Sequence, residues 1–429
     1  MKVHLKTLGC RLNEAELETW AHEFEQQGHA ITTINQQADV VVINSCAVTH
    51  DAARKSRHLI RRIHRENPSA KLVVSGCYAT LNPNEAADIM GVDLVVSNQD
   101  KRQLVAKTLA GIDMTAMPAM STEPGASALF TRGRQRAFVK VQDGCRYSCT
   151  FCIVTIARGE EQSRALAEIV AEVNTLVEQG VSEIVLTGVH LGGYGSDIAS
   201  NLTELVQVLL AETDIARIRL GSLEPWEFSD EFFTLFEQAR VMPHLHLPLQ
   251  SGADSVLKRM ARRCKTAEFA DIVTKLKQAY ADFNITTDII VGFPGETEQE
   301  WQDSLAFIQA MVFGHIHIFS YSKRAGTKAA SLPNQVAEPI KKQRSRELHE
   351  LAKVMKQSVN HAFLGNTYPV LWEAYTEAYH DKQLAFGYTP NYLRVATVIE
   401  AGQSLENQLL NARLIDVKGE TVFAELAMN

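Results

Sequence analysis

The chain has 429 residues, too many for one ordinary core, so two to four domains are expected. Its 45% hydrophobic and 22% charged residues describe a soluble globular protein, and no apolar run reaches the roughly 18 residues of a membrane helix. A net charge of −7 argues against nucleic-acid binding by bulk charge, and seven cysteines, an odd number, argue for metal-binding or catalytic thiols in a cytoplasmic protein rather than disulfides.

The start, MKVHLKTLGC, alternates like a strand and has no signal-peptide apolar core. Up to about residue 112 short apolar strands (3–8, 30–34, 40–43, 71–75, 93–96) alternate with helical stretches (14–27, 52–66, 84–90, 101–109). That rhythm predicts a doubly wound parallel sheet. Cys10, Cys46 and Cys77 each stand just after a strand, in LGC, NSC and SGC. In open parallel sheets the loops beyond the strands' carboxyl ends form the ligand crevice, so the three thiols can converge there. Spacing alone fits buried small hydrophobes equally well; the equivalent placement after three strands favours ligands. Gly9 and Gly76, each before a Cys, would let the backbone approach a bulky inorganic group.

Residues 113–135, with Pro118, Pro124 and Gly125 and no sustained period, read as a linker. From residue 136 the strand–helix rhythm resumes in longer units. Strands are expected at 137–141, 183–186, 217–220, 244–247, 285–291 and 315–319, with helices at 165–179, 202–211, 230–239, 266–281 and 298–311. Six such units make a partial (βα)6 barrel, whose active site belongs at the carboxyl ends of the strands.

The loop after the first of these strands is CRYSCTFC, with Cys145, Cys149 and Cys152 in a C-x3-C-x2-C spacing. Zinc sites usually take four ligands; three thiolates on one tight loop suit a cubane iron–sulfur cluster with one iron left open. The spacing resembles that of radical S-adenosylmethionine (SAM) enzymes. Later strand ends carry groups suited to such a ligand: Gly188 in TGVHLGGYG for its amino and carboxylate groups, and Ser222 and Glu224 in GSLEP for ribose hydroxyls. Gln250 and Ser251 follow in LPLQSG, then Gly292 in VGFPGET, where adenine could lie flat, although Thr297-x-x-Glu300 is also a plain helix capping box. His244, His246, His315 and His317 alternate in strands and read as filling or surface residues, and Cys264 as structural.

Three basic groups stand out: Arg54, Arg57, Arg61 and Arg65; Lys258, Arg259, Arg262, Arg263 and Lys265; Lys341, Lys342, Arg344 and Arg346. Each alone is a solvated helix face; together they fit a phosphate-binding surface. A basic helical segment spans about 323–360, and then short strands at 367–372, 393–398, 412–417 and 421–426 predict a small β-barrel. From Ser358 onward there are 4 Lys and Arg against 8 Asp and Glu, acidic for a nucleic-acid module. Tyr375, Tyr379, Tyr388 and Tyr392 suit either base stacking or a barrel core. The expected division is 1–112, 113–135, 136–357 and 358–429, an α/β chain throughout except for its terminal barrel.

Over essentially its whole length the chain resembles the methylthiotransferase family of radical SAM enzymes. The pieces that carry the resemblance are TLGCRLNEAE, INSCAVTHDAARKSR, VVSGCYA, CRYSCTFC, ARGEEQSR, HLPLQSG and DIIVGFPGETE. Branches of the family differ after the first cysteine, reading GCQMN or GCPKN; GCRLN looks most like the branch acting on threonylcarbamoyladenosine in tRNA. The chain departs from the family in IVTIARG, where proline and tyrosine usually precede ARG, and in Cys264, where an aromatic is usual.

The resemblance implies two [4Fe–4S] clusters, one on Cys145, Cys149 and Cys152 and one on Cys10, Cys46 and Cys77, with SAM as co-substrate. The first would bind and reductively cleave SAM to a 5′-deoxyadenosyl radical that takes hydrogen from C2 of adenosine 37. The second would hold the sulfur, methylated by a second SAM. The cofactors carry the hard chemistry, and no side chain need act as nucleophile. Implied partners are the tRNA anticodon stem-loop and an electron donor such as flavodoxin or ferredoxin, with no membrane and a monomer expected. The alternatives are methylthiolation of another tRNA adenosine or of ribosomal protein S12, and, from a different class, a non-catalytic iron–sulfur or RNA-binding protein.

Overall fold

A computed structural model describes residues 1–111 and 135–427, so the expected linker lies, but for Gln135, outside the described residues. The first sheet is parallel, in the order β2-β1-β3-β4-β5: β1 (Lys2–Thr7), β2 (Ala30–Ile31), β3 (Val40–Ser45), β4 (Lys71–Gly76) and β5 (Val92–Val95). VVVINS of β3 is buried at every position, as a central parallel strand covered on both faces must be. Helices α1 (Arg11–Gln26), α2 (His50–Glu66), α3 (Cys77–Leu81), α4 (Pro83–Ala87) and α5 (Leu104–Gly111) complete this part. Strand 30–34 stops at Ile31, because the Thr32 hydroxyl accepts from the Ile34 amide and turns the chain away.

The second part has six parallel strands: β6 (Arg136–Lys140), β9 (Glu183–Thr187), β10 (Arg217–Leu220), β11 (His244–His246), β12 (Asn284–Val291) and β13 (His315–Ser320). They form sheets β10-β9-β6 and β11-β12-β13, joined by parallel bridges Ile218↔Val241 and Ser222↔His246. A short antiparallel pair, β7 (Gln142–Asp143) and β8 (Gln162–Ser163), brackets α6 (Val154–Arg158). The remaining helices are α7 (Leu166–Glu178), α8 (Leu202–Glu212), α9 (Asp230–Thr234), α10 (Asp254–Arg259), α11 (Thr266–Ala279), α12 (Glu298–Met311) and α13 (Glu338–Ala362). The expected helix 230–239 is only α9 followed by a tight 3-10 turn. The capping box at Thr297 and Glu300 is present.

Ile184, Leu186, Ile218, Leu220, Leu245, Leu247, Ile285 and Ile289 pack outward with Phe269 and Trp301 into one core. Alternation therefore turns Glu183, Arg217, Arg219, His244, His246, Thr286, Asp288, His315 and His317 into the lumen. Helix α1 closes against β6: Lys140 donates to Glu16 (3.0 Å), and the Arg11 guanidinium lies 5.6 Å from the Phe138 ring centroid.

The last strands form a closed barrel, β14-β15-β16-β18-β17: β14 (Thr367–Tyr379), β15 (Lys382–Tyr388), β16 (Arg394–Ile399), β17 (Leu409–Lys418) and β18 (Thr421–Leu426). The sequence suggested four strands; β15 and the outer half of β14 escaped because polar residues and a register shift between Trp372 and Thr376 break the alternation. The barrel plugs the base of the lumen. Arg219 lies over Tyr392 (4.5 Å) and donates to Pro390 O (3.0 Å), and Asn284 donates to Asn391 O (2.8 Å). Tyr388 and Tyr392 stack on each other at 4.9 Å in this junction and are not free base-stacking platforms; only Tyr375 of the four is more than half exposed. No helix among the described residues is long and apolar enough to cross a membrane.

Candidate functional site

The strand order of the first sheet puts its switch point between β1 and β3, where a doubly wound fold opens its ligand crevice. Cys10 follows β1 as the N-cap of α1, Cys46 follows β3, and Cys77 opens α3 directly after β4. The three thiols lie close together: after desolvation, the larger cause, Cys77 also raises the pKa of Cys10, and Cys10 and Cys77 raise that of buried Cys46. A Cβ on Gly9 would stand 3.0 Å from Cys46 Cβ, so the first and second turns touch. Gly76 (φ +91°) serves packing instead: a Cβ there would lie 2.3 Å from Ser45 O on the neighbouring strand, so its conformation is set by sheet closure.

CRYSCTFC is wound so that amides face its sulfurs. Tyr147 N–H donates to Cys145 Sγ and Val154 N–H to Cys152 Sγ, each at 3.4 Å, and Arg262 Nη1 lies 3.9 Å from Cys149 Sγ. Thr150 pins the loop, its amide donating to Met260 O and its carbonyl accepting from Ala329 N–H. Burial pushes the Cys145 thiol up to about 12 and Cys152 to about 11. As free thiols all three would stay protonated at neutral pH, so the N–H donors and Arg262 acquire a purpose once a metal displaces the protons. Three thiols with N–H and guanidinium donors and no disulfide fit a [4Fe–4S] cluster with one open iron, and the first triad's thiols fit the same group.

A buried charge network joins the two triads. Helix α6 starts two residues after Cys152 and ends on Arg158, about 6 Å further along at helical rise. Arg158 donates to Glu16 (2.9 Å), Asp143 (3.0 Å) and Asn13 Oδ1 (2.8 Å). Asn13 Oδ1 in turn accepts from Cys10 Sγ at 3.7 Å, and Asn98 Nδ2 reaches both Ala157 O (2.8 Å) and Cys77 Sγ (3.7 Å). Lys101 and Lys140 complete the set around Glu16 and Asp143. Burial lowers the Arg158 pKa, but Glu16 and Asp143 more than offset it and hold it well above the ordinary value.

The expected SAM-facing residues do not all meet at one place. Glu224 makes a two-point pair with Arg262 (3.0 and 2.5 Å), and its charge reaches Cys149 and Cys152. Ser222 is exposed beside it on the bridge to His246, and Gln250, at φ +74°, bridges to Ile289 with no side-chain hydrogen bond among the described residues. Gly188 faces Gln142, where a Cβ would lie 2.8 Å from Oε1. The open side of Gly292 is filled by Lys341, 2.2 Å from where a Cβ would be, so packing against α13 is enough to require glycine there.

Two further groups escaped the sequence reading. Beside the cysteine loop, buried His190 is clasped by Glu161 at Nδ1, with Glu227 Oε2 2.6 Å from Nε2; Tyr147 donates to Glu227 (2.7 Å) and Arg146 reaches both acids. Burial would lower the His190 pKa, but Glu227 and Glu161 outweigh it and raise it. In the lumen, His246 Nε2 lies 3.1 Å from Asp288 Oδ1, and the donor atoms of His246, Asp288 and His317 all fall within 4.8 Å of one another. Much of the expected basic surface is already paired: Arg259 with Glu300, Arg262 with Glu224, Arg344 with Glu296, while Lys341 is buried. Cys264 is buried in the main core, consistent with a structural role.

Residues 2–97 match a family described as Uncharacterized protein family UPF0004, and residues 139–308 match the Radical SAM superfamily. The chain is 36% identical over 425 residues to the threonylcarbamoyladenosine tRNA methylthiotransferase MtaB of Bacillus subtilis, covering 96% of this chain and 93% of that one. It belongs to the methylthiotransferase family of radical SAM enzymes. The MtaB protein of Thermotoga maritima is also 36% identical, over 91% of this chain and 90% of its own. A tRNA-2-methylthio-N(6)-dimethylallyladenosine synthase of Acetivibrio thermocellus is 33% identical, over 96% and 88%. Among solved structures, the radical SAM methyltransferase TsrM of Kitasatospora setae shares the fold, with TM-score 0.57 and 16% identity over 77% of each chain. As a methylthiotransferase of the radical SAM class, this chain uses SAM and a [4Fe–4S] cluster.

Proposed function

We propose that this methylthiotransferase modifies C2 of N6-threonylcarbamoyladenosine at position 37 of tRNA, giving the 2-methylthio derivative, with two clusters per chain. The observation that carries the reading is the convergence of Cys10, Cys46 and Cys77 on a switch-point crevice tied through Arg158 to the loop of Cys145, Cys149 and Cys152. When bound, the clusters supply the electron that cleaves SAM and the sulfur that is transferred. The chain's residues orient and enclose. Tyr147 and Val154 amides and Arg262 face the sulfurs of the loop, Glu224 and Ser222 stand beside it for the ribose of SAM, and Gln250 and Gly188 line neighbouring strand ends. Gly292 is retained as a turn contact to adenine.

The proposed division is 1–112, 113–135, 136–357 and 358–429, with α13 running across the last boundary. The exposed Arg61 and Arg65 on α2, with Arg54 beside its partner Asp51, offer phosphate contacts to the anticodon stem-loop. The setting is cytoplasmic, a flavodoxin or ferredoxin donates the electrons, and the working unit is a monomer. Nucleoside mass spectrometry of tRNA from a strain lacking the protein, and any paralogue, should show 2-methylthio-threonylcarbamoyladenosine lost and its unmodified precursor accumulated. Unchanged levels would refute the assignment.

A further inference from the structure

The lumen of the partial barrel is polar along one wall, and contacts run along that wall without a break. Arg11, the residue after Cys10, donates to Tyr392 OH at 2.7 Å. The Tyr392 ring lies 4.8 Å from that of His244, whose Nε2 is 3.2 Å from Thr286 Oγ1. Thr286 Oγ1 is also 2.9 Å from His246 Nδ1, His246 pairs with Asp288, and the His246 and His317 rings are 5.4 Å apart. All three parts of the chain contribute to this wall: α1 of the first sheet, β11, β12 and β13, and the plugging barrel.

The charges along it are not balanced alike. At the base, Arg136, Arg217 and Arg219 converge on the fully buried Glu183. On the same Tyr392 ring as Arg136 and Arg219, Arg11 is exposed and has a phenol as its polar partner; Glu14 of its own helix feels its charge, but no carboxylate among the described residues lies within ion-pair distance. His317 is exposed too, and has no hydrogen-bond partner of its own there. Partial desolvation of its ring, then His246 and Arg11 nearby, disfavour its protonation and outweigh Asp288, which favours it; the neutral ring can donate or accept. An apolar substituent lodged here would strip water from Arg11, His246, Asp288 and His317 and return nothing. A carboxylate would complete Arg11 by a charge-assisted pair, and a hydroxyl beside it would satisfy Asp288 or His317.

We propose that Arg11, His246, Asp288 and His317 form the binding site for the hydroxylated, carboxylate-bearing N6 substituent of the target adenosine, with Arg11 as the carboxylate receptor. This rests on the reading of the substrate as threonylcarbamoyladenosine and names what selects it over adenosines with apolar N6 groups. Arg11 adjoins Cys10, so a nucleoside held this way has its base beside the first triad.

The test uses the anaerobically loaded full chain and two anticodon stem-loop RNAs, one with threonylcarbamoyladenosine and one with its neutral threonine carboxamide. Wild-type protein should prefer the carboxylate RNA by about 10- to 100-fold in Kd and in kcat/KM, the range expected of one charged hydrogen-bonded pair. Arg11→Gln should abolish that preference, Arg11→Lys should keep part of it, and His317→Ala should narrow it. Equal binding and turnover of the two RNAs by wild type, which needs no variant to fold, would overturn the proposal while leaving the substrate assignment standing; so would a preference that survives Arg11→Gln. Turnover of neither RNA would overturn the substrate assignment itself, and this proposal with it. Stoichiometric zinc in the holoenzyme, lost in His317→Ala, would make the cluster a metal site and also overturn it.

Discussion

Cys145, Cys149 and Cys152 sit within one loop whose own amides face the sulfurs, whereas Cys10, Cys46 and Cys77 come from three separate turns and meet only because β1, β3 and β4 are neighbours. Each triad is attended by one buried arginine, Arg262 at Cys149 and Arg158 at Cys10 and Cys77. The difference lies in what holds those arginines. Arg262 pairs with Glu224 inside the partial barrel, so the loop is a local device that the barrel could carry alone. Arg158 is held by Glu16 from α1 and Asp143 from β7, so the arginine beside that triad is in place only when the first sheet and the barrel are docked. The loop site carries its arginine within one part of the chain; the three-turn site is built by one sheet and receives its arginine from another part.

The largest expected effect separates the triads by their iron. Wild-type protein reconstituted anaerobically should hold about eight irons, and replacing Cys10, Cys46 and Cys77 together should leave about four. Unchanged iron in that variant would remove the second site. Next, Arg158→Met should break the docking: it leaves Glu16 and Asp143 buried with only Lys101 and Lys140 to balance them. The loss is expected near 3 kcal/mol in denaturant unfolding, the low end for a broken buried pair, and iron should fall at the first triad before the loop. A variant as stable as wild type would show that the network does not join the two parts.

Arg262→Gln should act at the loop of Cys145, Cys149 and Cys152 instead. KM for SAM should rise about tenfold, with the iron of Cys10, Cys46 and Cys77 retained. The smallest effect concerns His190. Glu227 and Glu161 raise its pKa in the fold, so the clasp stabilises fully below the ordinary histidine value of about 6.5 and is lost as pH rises through the raised one. His190→Gln should therefore lower Tm most on the acid side and least at alkaline pH. A difference that does not vary with pH would show that the clasp is not an ion pair.

What the sequence made legible follows the same division. C-x3-C-x2-C is a local pattern, and strand–helix alternation placed every strand of the first sheet and the partial barrel to within a few residues. Cys10, Cys46 and Cys77 could be proposed as a set because sheet topology obeys general rules. The clasp of Glu161, His190 and Glu227 left no such trace: its members come from three different strand ends, and no spacing rule links them. The lumen histidines were visible as an alternation, but Asp288 and Arg11, which give them chemical meaning, lie on other elements. The second and third basic groups misled for a related reason. A lysine or arginine on a helix reads as surface until its acid is seen, and Glu224, Glu296 and Glu300 all come from other segments.

If the two triads do different jobs in one reaction, removing one should uncouple SAM cleavage from sulfur transfer. Wild-type protein and the Cys10, Cys46 and Cys77 triple alanine variant would be incubated anaerobically with SAM, reductant and a stem-loop RNA bearing threonylcarbamoyladenosine. 5′-Deoxyadenosine and the methylthio nucleoside would then be quantified by mass spectrometry. The variant should still form 5′-deoxyadenosine and no methylthio product, whereas wild type should form both. Methylthio product from the triple variant would contradict this division of roles.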